Sequence, residues 1–75
     1  MVNHKIYWGV GSAFNFGHID GWDGYLERLQ YPDKRFAFMV STPKRTYLHV
    51  SESFSTREAM ETGAISYLIN KGELL

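Results

Sequence analysis

The sequence has no cysteine, which excludes disulfide bonds and thiolate metal sites as sources of stability. It has only two prolines and no excess of charge, because eight Lys and Arg residues balance eight Asp and Glu residues. A dedicated nucleic-acid-binding protein usually carries a basic excess. Zero net charge therefore argues against that class, although it leaves a local basic patch open.

Long apolar runs are also missing. No segment approaches the roughly 20 apolar residues that a membrane-spanning helix needs. The N-terminal stretch Met-Val-Asn-His-Lys-Ile lacks the apolar run of a signal peptide. These absences predict a soluble, cytoplasmic protein with no membrane partner.

Aromatic residues are plentiful instead: the 75 residues include five Phe, five Tyr and two Trp. A domain of this size buries only about 60% of its unfolded surface, so its stability is expected to be marginal. Each aromatic side chain can bury on the order of 150–250 Å². We therefore expect a single domain over residues 1–75, with aromatic side chains carrying much of its core.

The clearest fold signal is a hairpin over residues 35–51. Residues 35–40 and 46–51 have the period-two alternation of β-strands, and Pro43 fits only the turn between them. Both faces of the first strand carry apolar groups, which predicts a central position in the sheet.

A helix is predicted to follow this hairpin. Ser55 and Glu58 have the spacing of a capping box, and Gly72 suits a left-handed C-cap. Together, the hairpin and this helix are expected to supply six core residues. They are Phe36, Phe38, Leu48, Val50, Met60 and Ala64.

The N-terminal half is less regular. Residues 5–10 alternate as a strand, a Gly11-Ser12 turn follows, and residues 13–19 form either a returning strand or an irregular loop. From Asp20 the apolar period becomes helical. The residues that set this period are Trp22, Tyr25, Leu26 and Leu29.

Together these segments predict an α+β fold in the order β-β-α-β-β-α, or β-loop-α-β-β-α if the second strand is absent. The expected architecture is a three- or four-stranded, mostly antiparallel sheet with two helices packed on one face.

A metal site is one interpretation of the segment around His18, Asp20 and Asp23, since carboxylates and imidazole are metal ligands. The spacing matches no calcium-loop pattern, however. The acids fit helix capping better, and the neighbouring glycines fit a turn. We expect no metal and no cofactor.

An enzyme is not predicted either. His4, His18 and His49 are scattered, and no partner for general acid–base or nucleophilic catalysis stands at motif spacing from any of them. Ser53 and Ser55 have the context of turn and cap residues.

Nucleic-acid binding has a specific candidate surface at the two ends of the 35–51 hairpin, where basic and aromatic residues occur together. Nearby glutamates oppose it by cancelling the charge. The candidate residues are Lys34, Arg35, Lys44, Arg45 and Tyr47.

Protein binding is favoured by apolar residues beyond those that one helical stripe uses. Ile65 and Ile69 lie one turn apart, outside the main apolar stripe of the C-terminal helix. Such a patch marks an interaction surface, either for another protein or for a second copy in a homodimer. The predicted partner-binding residues are Ile65, Ile69, Glu58, Thr62 and Leu74.

In size, lack of cysteine, aromatic content and lack of a catalytic signature, the chain resembles the small accessory proteins of phages and mobile elements. That resemblance is one of type and implies no residue assignments. It implies a non-enzymatic protein-binding module that binds and inhibits a host protein or nucleoprotein complex. The alternative is a small nucleic-acid-binding domain that uses the 35–51 hairpin and its basic turns.

Overall fold

Five antiparallel strands form one sheet in sequence order, and a C-terminal helix packs against one side of it. The computed structural model describes residues 4–42 and 48–74. Within these ranges no helix has both the length and the apolar character needed to cross a membrane. The elements are β1 (Ile6–Trp8), β2 (Phe16–Ile19), β3 (Tyr25–Gln30), β4 (Phe36–Ser41), β5 (Leu48–Val50) and α1 (Arg57–Asn70).

The α+β class is confirmed, but the predicted arrangement with two helices and a three- or four-stranded sheet is wrong. The segment expected to form the first helix is instead β3, the central strand, which pairs with β4 through six residue pairs. Gly21 adopts φ 82°, and the Trp22 amide donates to the Ile19 carbonyl oxygen at 3.1 Å. This tight turn leads the chain back as a strand and prevents a helix from starting at Asp20.

The first strand is confirmed as β1, and of the two alternatives for residues 13–19 the structure has the returning strand, which is β2. Its connection is longer than the predicted two-residue turn, because Gly11–Ala13 form a 3-10 turn. Gly17 lies in the interior of β2. A Cβ there would come within 2.8 Å of Leu26 and 2.9 Å of Ile6. The absence of a side chain at Gly17 therefore lets β1 and β3 side chains meet above β2.

The core lies between the sheet and α1, and it confirms Phe38, Met60 and Ala64 as core residues. Phe36 is partly buried and packs against this core. The prediction for Leu48 and Val50 is wrong, since both are exposed. The buried apolar residues of the cluster are Ile6, Ile19, Trp22, Leu26, Phe38, Val40, Met60, Ala64, Leu68 and Leu74.

The position of His49 explains why its neighbours in β5 are exposed. His49 pairs with Val40 and therefore lies on the same side of the sheet as α1. Its ring stacks on Tyr67 of α1, with centroids 4.1 Å apart and planes 9° from parallel. Strand alternation then places Leu48 and Val50 on the opposite side.

The helix begins one residue later than predicted. Thr56 is the N-cap, and its hydroxyl accepts a hydrogen bond from the Ala59 amide at 3.1 Å. The predicted C-terminal signal is confirmed, because Gly72 adopts φ 78°. The Gly72 amide donates to the Ile69 carbonyl oxygen, and the Glu73 amide donates to that of Leu68. These two bonds form a Schellman motif.

Replacing Thr56 with Ala is expected to lower the free energy of unfolding by about 0.5–2 kcal/mol, because the Ala59 amide loses its acceptor. The matched control is Ser55→Ala, which should change stability by less than about 0.5 kcal/mol. Urea denaturation followed by circular dichroism measures both values. A larger loss for Ser55→Ala than for Thr56→Ala would contradict this assignment of the cap.

Candidate functional site

The sheet has one side covered by α1 and one side that no described element covers. We call the second side the open face. Strand register places eleven side chains on it, because directly paired residues lie on the same side and alternate residues point the same way. They are Tyr7, Phe16, His18, Tyr25, Glu27, Leu29, Ala37, Met39, Ser41, Leu48 and Val50.

The open face concentrates exposed apolar surface. Five of its large apolar side chains remain between 39% and 57% exposed, and they come from four different strands. Scattered apolar residues are normal on a protein surface, but a contiguous patch marks an interaction site. The five are Tyr7, Phe16, Tyr25, Leu48 and Val50.

A cluster of two aromatic rings and a carboxylate lies on β2 and β3. Phe16 pairs directly with Glu27, and the Phe16 and Tyr25 rings meet edge to face with centroids 5.6 Å apart. The Tyr25 hydroxyl donates to Glu27 Oε1, and Asn15 Nδ2 donates to Glu27 Oε2 at 2.9 Å. The hydrogen bond to Glu27 raises the pKa of the Tyr25 hydroxyl above its usual value. Both carboxylate oxygens are therefore held in place.

The other half of the open face is aliphatic. Met39 of β4 pairs with Val50 of β5, and Ser41 pairs with Leu48. Leu29 of β3 pairs with the fully buried Ala37 beside them. The face thus changes from aromatic and acidic on β2 and β3 to uncharged and aliphatic on β4 and β5.

The structure separates the residues of the predicted patch on the C-terminal helix. Leu74 is only 6% exposed and belongs to the core, so it is not available to a partner. Ile65 is partly buried and packs against the same core. Ile69 is 43% exposed, and Glu58 and Thr62 are also exposed. The apolar part of this patch is therefore smaller than predicted, and dimerisation through it stays a prediction.

The candidate nucleic-acid residues fall in two places. Lys34 and Arg35 lie in the turn before β4, where Lys34 adopts φ 69° and is exposed. The Arg35 guanidinium donates to the Ser53 hydroxyl at 2.8 Å and to its carbonyl oxygen at 3.2 Å, which fixes it on the protein. Lys44, Arg45 and Tyr47 lie outside the described residues.

The three histidines do not come together. His18 Nε2 lies 3.3 Å from Asp20 Oδ1 on the exposed end of β2. His49 stacks on Tyr67, and His4 is half-buried beside β1. Within residues 4–42 and 48–74, no three metal-ligating side chains are grouped closely enough to hold an ion.

Another charged cluster holds α1 to the sheet. The Arg28 guanidinium lies 4.7 Å from the Trp8 ring and donates to the Phe14 carbonyl oxygen at 3.1 Å. The Trp8 indole N–H donates to the Glu61 carboxylate of α1. Burial lowers the pKa of Arg28, as does the nearby positive charge of Arg57. Since each group binds its neighbours, this cluster has a structural role.

Sequence reasoning missed the open face because it placed residues 20–30 in a helix. A period-two reading of those residues gives the signal that could have found it: Tyr25, Glu27 and Leu29 alternate with Leu26 and Arg28. Comparison of the chain with protein-family models, with curated proteins and with solved structures found no match.

Proposed function

We propose that this protein is a non-enzymatic protein-binding module whose binding surface is the open face. One observation supports this most directly: five large apolar side chains from four strands are exposed together on one side of the sheet. Burying such a surface against a partner gains roughly 25 cal/mol per Å² of apolar area removed from water. An exposed apolar surface of this kind on a small protein is typical of a protein-binding site.

The polar groups of the open face support binding over catalysis. Asn15 and Tyr25 both donate hydrogen bonds to Glu27, which orients the carboxylate. The hydrogen bond to Glu27 also raises the pKa of the Tyr25 hydroxyl, which opposes its ionisation to a nucleophile. A module of this kind acts by covering a surface of its partner. Inhibition of a host protein or nucleoprotein complex, which the resemblance to phage accessory proteins implies, is the corresponding mode of action.

Nucleic-acid binding is the second candidate, and the aromatic rings of Tyr7, Phe16 and Tyr25 favour it. Exposed rings on a sheet can stack on the bases of single-stranded nucleic acid. The carboxylate of Glu27 opposes this, because it lies beside Phe16 and Tyr25 and its negative charge would repel a phosphate backbone. We therefore rank this candidate below protein binding.

Site-specific photo-crosslinking in the organism that encodes the protein tests the proposal. A photoreactive phenylalanine replaces Tyr7 on β1 or Leu48 on β5, which are exposed at opposite edges of the open face. We expect both positions to crosslink to the same protein, which mass spectrometry identifies. The purified partner should then bind the wild type and lose at least tenfold in affinity for a Leu48→Lys variant, because a charge enters an apolar contact.

Two control positions keep this result specific. Val10 is 87% exposed in a loop and Ile69 lies on α1, so both are apolar and accessible but outside the open face. Crosslinks from Ile69 with none from Tyr7 or Leu48 would move the binding surface to the helix. Crosslinks from the open face to nucleic acid, with an affinity that falls steeply as salt rises, would support the second candidate instead.

A further inference from the structure

We propose that Phe16, Tyr25 and Glu27 form a binding site for one cationic side chain, lysine or arginine, presented by the partner protein. This inference rests on the proposed function and specifies the chemistry of the partner. Glu27 is a charged residue on the central strand of a face whose other members are mainly apolar. Covering that face with a wholly apolar surface would bury the carboxylate without a counter-charge, which is costly.

No charge partner for Glu27 exists among residues 4–42 and 48–74. His18 pairs with Asp20 and not with Glu27, and the hydrogen bonds to Glu27 come from the neutral Tyr25 and Asn15. An ionised carboxylate accepts about four hydrogen bonds. Two acceptor positions are therefore left for a donor that arrives from outside.

The aromatic rings beside Glu27 suit the same ligand. Phe16 and Tyr25 stand 63° apart in plane, so together they form a corner with the carboxylate at its edge. Cations bind to the electron-rich faces of aromatic rings, and a nearby carboxylate adds a charge-assisted hydrogen bond. Phe16 is 41% exposed and Tyr25 is 39% exposed, which leaves both side chains accessible to a ligand.

A second copy of the chain fits this face less well. In a two-fold contact that uses the whole open face, the central strands meet near the axis. Glu27 would then approach its own copy, and two carboxylates would be buried together with no cation between them. A partner with a lysine or arginine surrounded by aliphatic side chains instead matches both halves of the face.

Nuclear magnetic resonance titration tests the site with small probes. The cationic probes are Nα-acetyl-lysine methylamide and Nα-acetyl-arginine methylamide, which keep the charged side chain. N-acetyl-norleucine methylamide is the control, since it keeps the lysine stem without its charge. We expect saturable amide shifts at Phe16, Tyr25 and Glu27 with both cations, and at least tenfold weaker binding of the norleucine probe.

Two variants and a control assign the effect to these residues. Glu27→Gln and Phe16→Leu should each weaken binding of the cations roughly tenfold, because one removes the charge and the other removes a ring. Glu58→Gln makes the same chemical change on α1, on the other side of the sheet, and should leave binding unchanged. The amide spectrum of each variant shows directly whether it is folded.

Equal binding of the lysine and norleucine probes, or no saturable shift, would overturn the cation site. Neither result would affect the crosslinking test, which asks only whether a protein covers the open face. The cation site would also be overturned if the lysine and arginine probes shifted the amide signals of Glu27→Gln at the same concentrations as those of the wild type. Loss of cation binding in both variants, with Glu58→Gln behaving as wild type, would support it.

Discussion

A Phe38→Ala variant should lose about 3–5 kcal/mol of unfolding free energy. Phe38 is 2% exposed between the sheet and α1, and its ring lies 5.8 Å from that of Tyr67 and 6.3 Å from that of Phe54. Removing the ring loses buried apolar area and leaves a cavity that these neighbours can fill only in part. A 75-residue domain has about 4–11 kcal/mol of stability in total, so the variant should be close to unfolding at 37 °C.

Phe16→Ala is the matched control, because it removes the same ring from the open face of the same sheet. Phe16 is 41% exposed, and its ring packs edge to face on that of Tyr25. Its removal should cost less, about 0.5–3 kcal/mol, because the side chain is already partly exposed. Thermal unfolding separates the two, since each kcal/mol shifts the midpoint of such a domain by about 4–8 °C. Similar midpoint shifts for both variants would mean that Phe38 on the α1 side of the sheet is no better packed than Phe16 on the open face.

The elements that the sequence predicted correctly are those with strong local signals. Helix α1 has an N-terminal cap and a C-terminal glycine within two residues of the predicted positions, because both ends depend on hydrogen bonds between near neighbours. Strand β4 carries apolar residues on both sides and was placed correctly in the interior of the sheet. In each case the residues that decide the structure lie within one segment.

Strand β3 shows where local signals are insufficient. Trp22, Tyr25, Leu26 and Leu29 fit a helical period, yet Tyr25–Gln30 also fit an alternating strand. What decides between them is pairing with β2 and β4 on either side, which only a three-dimensional arrangement supplies. Local propensity is overridden by such tertiary contacts.

The candidate site on the open face exists only because Tyr25–Gln30 form a strand and not a helix. A helix would place Tyr25 and Leu26 together on one buried stripe, whereas a strand sends Leu26 into the core and Tyr25 to the open face. Phe16 and Glu27 then become direct neighbours across two strands although eleven positions separate them in sequence. The cluster could not be predicted from spacing along the chain, because it exists only when β2 and β3 pair in this register.

Gly24→Ala is expected to lower the free energy of unfolding by about 1–3 kcal/mol or more. A loss of this size would establish that Trp22 packs closely against the start of β3. A Cβ at Gly24 would overlap the indole of Trp22 and lie 2.9 Å from the Ser41 carbonyl oxygen. Neither neighbour can move freely, since Trp22 is buried in the core and Ser41 is paired in β4. The added methyl group must therefore displace the backbone or the indole.

A double-mutant cycle with Trp22→Phe tests whether that overlap is the cause. Phenylalanine lacks the second ring that a Cβ at Gly24 would meet. The Trp22 indole N–H is buried with no hydrogen-bond partner in the described part of the chain, so the replacement removes no hydrogen bond there. We expect the double variant to be more stable than the sum of the single effects predicts, by about 0.5–3 kcal/mol. Additive losses in urea denaturation would show instead that Gly24 is required for its backbone conformation or for its distance from Ser41.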